Sequence, residues 1–153
     1  MITVLGIGPG DRKLCLLGTE TYLKQADTVI GSPRQLALFP GIPQEKQLRL
    51  PRLTALKEYL VQNKTRSIVL LASGDPLLYG IGTWVTKNFS KQQIQIIPGV
   101  SSIQYMFHCL HLSMNDCYLT VMVVNLILTS YSAMTKWAWS LIHNWGRMKF
   151  PRK

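Results

Sequence analysis

The sequence is short of acid. Seven Asp and Glu stand against seventeen Lys and Arg in 153 residues, a formal net charge of +10, and no acidic residue occurs from Val121 onward. Cysteine is equally sparse. Cys15, Cys109 and Cys117 form no C-x-x-C pair and have no histidine pair at zinc-finger distance, which excludes a disulfide scaffold and a zinc ribbon. Free thiols in a reducing, cytoplasmic setting are expected. His108 and His111 flank Cys109 and sketch a metal site, but such residues more often line a helix, so no metal is expected. "MITVLGIGPGD" has no basic n-region and no cleavage site, so it does not read as a secretory signal. A long clean apolar run is also missing. Val121 to Ile142 has about the length of a bilayer span, yet Asn125, Lys136 and several Ser and Thr interrupt it. A helix lying in the interface is the remaining membrane reading; no membrane partner is expected.

What is present divides near residue 120. Up to Thr120 there are twelve basic and seven acidic residues; beyond it come Lys136, Arg147, Lys149, Arg152 and Lys153, with three of the four tryptophans. A basic, Trp-rich tail suggests nucleic acid or a membrane surface. It equally describes sequence never selected for folding, and no nucleic-acid partner is expected. The apolar fraction of 47% and charged fraction of 16% suit a globular chain, long enough for one ordinary domain.

Short aliphatic runs alternate with helical periodicity up to residue 120. "MITVLG", "TVIG", "RSIVLLA" and "QIQII" read as buried strands, and "QLRL" as an edge strand. Helices are expected over "LCLLGTETYLKQA", "RLTALKEYLVQN", "LLYGIGTWVTKNF" and "SIQYMFHCLHL". In the second of these, Leu53, Leu56, Leu60 and Val61 share one face and Thr54 is the expected cap. Strands alternating with helices describe an α/β domain with a parallel sheet, whose ligand site lies at the carboxyl ends of the strands. Three loops converge there: "GIGPGD", "ASGDPLLYG" and "PGVSS".

The first loop superficially matches a dinucleotide fingerprint and then fails it. Gly6, Gly8 and Gly10 give G-x-G-x-G, Pro9 lacks an amide a pyrophosphate would use, and "TVIG" closes without an acidic residue. NAD is therefore not expected. In "SGDP", Pro76 is placed to open the next helix, with Asp75 near its positive end. An exposed carboxylate beside free backbone amides suits a polar ligand.

In that order, "VLGIGPGD", "LLASGDPLLYGIG" and "IIPGVSSIQY" resemble the tetrapyrrole methylases. "IGSPRQLALFP" and "SSIQYMF…LSMND" are similar to the C5-methyltransferases of that family, which act on cobalt-precorrin-7 or precorrin-6Y in cobalamin synthesis. The resemblance covers residues 1 to about 120. It implies the N-terminal domain of a two-domain fold, with the second domain missing. It also implies S-adenosyl-L-methionine as cofactor, held by Pro9, Gly74, Asp75, Leu78, Ser101 and Ser102. A corrin precursor is the implied substrate, and a homodimer is implied for an intact member. No catalytic acid or base is implied, because the sulfonium methyl is already activated and alignment supplies most of the rate. Arg12, Lys13 and Arg34 are candidates to meet substrate carboxylates, with solvated surface the alternative.

After "MND…LT" the family continues with Ser-His-Gly, and later with a strand near Lys-Val-Ala-Met-Val-Thr-Asp. Here Val121, Met122, Val123 and Val124 follow instead. Shifted one base earlier, their codons become xGT, NAT, GGT and NGT, which permit Ser, His, Gly and Arg with the glycine forced. Thr135 to Ile142, shifted likewise, permits Lys-Val-Gly-Met-Val-Thr-Asp. Residues 121–153 are thus expected to be an out-of-frame tail, and the truncated methylase to be inactive or impaired. The alternatives are a ligand-binding module without catalysis, or a small basic membrane-associated protein if the tail is genuine.

Overall fold

The structure, a computed structural model, describes residues 1–115. The expected out-of-frame tail, the span-length stretch from Val121 and Cys117 lie outside the described residues.

Five short strands form one parallel sheet: β1 (Ile2–Gly6), β2 (Thr28–Gly31), β3 (Gln47–Arg49), β4 (Ile68–Ala72) and β5 (Ile94–Ile97). Their order is β3-β2-β4-β1-β5. Five helices connect or follow them: α1 (Thr19–Gln25), α2 (Pro33–Leu36), α3 (Leu53–Gln62), α4 (Ile81–Asn88) and α5 (Ser102–Cys109).

The period-2 alternation of strands sorts the aliphatic residues into two cores. Ile2, Val4, Ile30, Ile68, Leu70 and Ala72 meet Leu56 and Leu60 of α3 and Val85 of α4. Leu5, Val29, Val69 and Leu71 meet Leu23 of α1, Leu36 of α2, and Phe39 and Ile42 beyond it. Both faces are covered, so β4 carries an unbroken Ile-Val-Leu-Leu-Ala run, buried throughout. β5, at the sheet edge, is only half-buried and admits Gln95.

The strand order creates a switch point. The connection from β1 leads by way of α1 to β2, two places away, and β4 later fills the gap. The connection from β4 passes over β1 to β5 on the other side. The chain therefore leaves the adjacent strands β1 and β4 for opposite faces, Leu23 of α1 packing on one and Val85 of α4 on the other, the condition for a ligand site at the carboxyl edge.

α1 and α3 differ from their expected form. α1 begins at Thr19, because Arg12–Leu14 forms a 3-10 turn whose Lys13 amide donates to the Asp11 carboxylate at 2.9 Å. Leu17 then stands fully exposed. In α3 only Leu56 and Leu60 are buried, while Leu53 and Val61 are 45% and 42% exposed. A ten-residue helix lying on a flat sheet buries a narrow i, i+4 stripe, and its flanks stay wet. Its N-cap is Arg52, without a side-chain cap, and Thr54 does not serve. Among the described residues no helix is long and apolar enough to cross a membrane.

Replacing Leu60, which is fully buried, by alanine should lower unfolding free energy by about 2–5 kcal/mol. Val61→Ala, one residue on, should change it by less than about 0.5 kcal/mol. Urea denaturation of the two variants checks the contrast; equal losses would refute the stripe.

Candidate functional site

At the carboxyl edge three loops are joined backbone to backbone. The Ile7 amide donates to the Ala72 carbonyl at 2.9 Å and the Gly74 amide to the Gly8 carbonyl at 2.8 Å, so the first loop extends the pairing of β1 with β4. The third loop closes on this pair. A Cβ on Gly99 would lie 2.3 Å from the Gly74 carbonyl oxygen and 2.9 Å from the Gly6 carbonyl carbon. No side chain fits there. Gly74 also has a φ of 68°, in the left-handed region that glycine occupies without strain.

Asp75 ties the second loop to the third. Its Oδ1 accepts from the amides of Leu77 at 2.8 Å and Leu78 at 3.2 Å, and its Oδ2 accepts from the Gly99 amide at 3.3 Å. The expectation of an exposed carboxylate beside free amides is corrected here: Asp75 is half-buried and these amides are its own partners. The same turn displaces the helix. α4 starts at Ile81 and not at Pro76, because Asp75 holds Leu77 and Leu78 in a turn and Tyr79 takes a left-handed φ of 56°. Such a conformation is costly for a bulky residue and concentrates at functional sites.

The third loop ends in Ser101, buried, whose Oγ accepts from the Gln104 amide at 3.0 Å and caps α5. Ser102 follows, exposed, as the first helical residue. A cavity of ≈ 260 Å³ opens between the second and third loops. Five of the six sequence-derived residues line it: Gly74, Asp75, Leu78, Ser101 and Ser102. Pro9 does not; it sits half-buried in the first loop. Ser73, Tyr79 and Ile103 complete the wall. Ser73 and Ile103 adjoin residues the motifs had singled out, whereas nothing in the sequence signals the φ of Tyr79.

The first loop is braced from behind by Cys15, whose thiol donates to the Ile7 carbonyl at 3.2 Å. Burial pushes that thiol's pKa up, against the opposing pull of Arg12. Arg12 is ion-paired with Glu20, which holds the Glu20 carboxyl below its ordinary range. A cavity of ≈ 310 Å³ lies along α1, over Leu23, Phe39 and Ile42. It is the larger of the two; of its three cations, Arg12, Lys24 and Lys46, Arg12 is paired with Glu20 and Lys46 donates to the Ala26 carbonyl at 2.9 Å. Among the described residues no group of three or more His, Cys, Asp or Glu converges on a point.

The smaller cavity combines hydroxyls, a backbone cradle, apolar Leu78 and Ile103, and the Tyr79 ring. Its carboxylate is engaged with backbone, and among the described residues no nucleophile is hydrogen-bonded to a base within it. Such a site is fitted to hold and orient a polar ligand.

The family model described as "Tetrapyrrole (Corrin/Porphyrin) Methylases" matches residues 1–148. Over 120 residues the chain is 39% identical to the cobalt-precorrin-7 C(5)-methyltransferase of Salmonella typhimurium, covering 78% of this chain and 60% of that protein. The chain thus spans about 60% of the length of this relative. Among solved structures, the precorrin-6Y methylase of Archaeoglobus fulgidus superposes with a TM-score of 0.64 at 20% identity, over 76% of this chain and 61% of that one. The uroporphyrin-III C-methyl transferase of Thermus thermophilus, solved in complex with S-adenyl homocysteine, gives 0.54 at 22% identity, over 67% and 46%.

If the loops depend on contact at Gly99, Gly99→Ala should cost about 2–3 kcal/mol, because backbone rather than a flexible side chain must yield. Gly41→Ala, whose Cβ would meet nothing within 4 Å, should be neutral or slightly stabilising. Thermal and urea unfolding of both variants measure this.

Proposed function

The chain belongs to the tetrapyrrole (corrin/porphyrin) methylases, and from that premise we propose that residues 1–120 are the cofactor-holding N-terminal domain of a cytoplasmic C5-methyltransferase of corrin precursors. Cobalt-precorrin-7 or precorrin-6Y is the substrate in this reading, which the identity to the Salmonella enzyme supports. The observation that carries it is the meeting of Gly74, Asp75, Leu78, Ser101 and Ser102 around one cavity at the switch point of the sheet. Pro9 keeps its proposed role as part of the first loop, beside that cavity rather than in its wall.

S-adenosyl-L-methionine is the proposed cofactor, and the residues present fit it. Gly74 and Gly99 let the second and third loops meet closely enough to form one wall together. Ser102 is exposed, and the apolar Leu78 and Ile103 offer surface for a nucleoside. The cavity's volume of ≈ 260 Å³ is close to the lower end of the range of about 300–1,000 Å³ typical of ligand pockets. When bound, this cofactor supplies a methyl group already activated by positive sulfur. The chain's task is then orientation: the Asp75 carboxylate holds the second and third loops together, and the glycines let those loops close on one another. No side chain of the described residues is assigned as acid or base.

A second reading, a module that holds the ligand without transferring a methyl group, is favoured by the make-up of the cavity, which is hydroxyls and backbone with its carboxylate engaged by amides. Titration of the chain with S-adenosylhomocysteine should give saturable binding, and NAD none; a chain that binds neither would refute the cofactor assignment. Methyl transfer to a precorrin then separates enzyme from module.

The division at residue 120, and the translation of 121–153 from a shifted frame, belong to the same proposal. They are supported by the change of composition and by two family segments recovered with one shift. The family match reaching residue 148 weighs the other way. The nucleotide sequence of the locus decides: second-domain coding should resume in the alternative frame, and its absence would end the frameshift reading.

A further inference from the structure

One wall of the cavity is a hydroxyl whose polarity is set by a residue outside the cavity. Gln35, in α2, is 9% exposed. The Ser32 backbone amide approaches its Oε1 at 2.7 Å. A backbone N–H can only donate, so the facing atom must be the amide oxygen, and the opposite orientation would set two donors against each other. Nε2 consequently faces Ser73 Oγ at 3.0 Å and, more distantly, the Leu71 carbonyl at 3.5 Å. An amide nitrogen only donates, so Ser73 Oγ is the acceptor. Its own proton is left to give, and among the described residues no group takes it. Ser73 is exposed and lines the cavity beside Gly74. The slot that holds Gln35 is itself tailored: a Cβ on Gly31 would come within 3.4 Å of Oε1 and 3.0 Å of Leu71 Cδ1.

We propose that Gln35 is a positioning residue that, by occupying one lone pair of the Ser73 hydroxyl, biases it toward donating into the cavity, so that this wall favours a ligand atom that accepts, such as a carboxylate or hydroxyl oxygen. The inference rests on reading this cavity as the cofactor site. It concerns polarity rather than shape, and that makes it separable by substitution. Gln35→Glu preserves size and the contact with the Ser32 amide. Its second oxygen, however, faces Ser73 as an acceptor and draws the hydroxyl proton inward. The cavity is then offered lone pairs in place of a donor.

The test is a double-mutant cycle on the full chain, with S-adenosylhomocysteine as probe and ligand-detected NMR carried to millimolar concentration. Gln35→Glu and Ser73→Ala should each weaken binding about five- to tenfold, the worth of one hydrogen bond. The double variant should match Ser73→Ala within about twofold, because Gln35 acts only through that hydroxyl. Losses that multiply would mean Gln35 merely shapes the loop, and absence of loss in either single variant would also overturn the proposal. A parent chain that binds nothing would overturn the cofactor reading and this inference together, an outcome distinct from both. Should Gln35→Glu not fold, the side-chain amide resonances of Gln35 provide the second measurement. They should move on Ser73→Ala in the ligand-free chain; unchanged resonances would refute the contact.

Discussion

Three backbones touching at Gly6, Gly74 and Gly99 are the constraint on which the carboxyl edge of this sheet depends. Parallel strands pair along their length, but their exits ordinarily splay toward separate helices. Here the exits of β1, β4 and β5 are drawn together because no side chain stands between them. The pairing of the Gly8 and Gly74 backbones and the Asp75 bond to the Gly99 amide then hold what the glycines permit. A ligand cavity follows from the loops being near each other, not from any one of them.

The fold was largely legible in the sequence, because its signals are local and strong. "TVIG" became β2 to the residue, and the Ile-Val-Leu-Leu run became the doubly buried strand. The element ends were less legible where a side chain competes with the helix for backbone amides. Nothing in "SGDPLLYGIG" says that Asp75 will take two amides and postpone α4 to Ile81; only the third loop's position, supplying Gly99 as a further donor, makes that turn worthwhile. Leu53 and Val61 misled for a related reason. Periodicity marks the apolar side of a helix but not how much of that side its neighbours reach.

The candidate site was legible in part. Gly74, Asp75, Leu78, Ser101 and Ser102 meet at one cavity, although the shared setting came from a family resemblance and not from spacing alone. Their division of labour was not legible. Asp75 reads in the sequence as a group facing a ligand and stands in the structure as a tie between loops. Gln35 reads as an ordinary residue of a short helix, and it is the side chain that orients a cavity hydroxyl. Hydrogen-bond polarity is a property of three-dimensional neighbours, and no linear pattern records it.

The central place of β1 has a consequence for how the chain comes to be folded. Residues 2–6 lie between residues 68–72 and 94–97, so the first strand made is among the last to find both partners. Loop closure over such separations is slow and leaves apolar strands exposed meanwhile. During synthesis the Ile-Thr-Val-Leu segment must wait, unpaired on both edges, until nearly the whole described domain has emerged. For this topology, assembly is less a growth from the amino terminus than an insertion into the middle, timed by the arrival of the last strand.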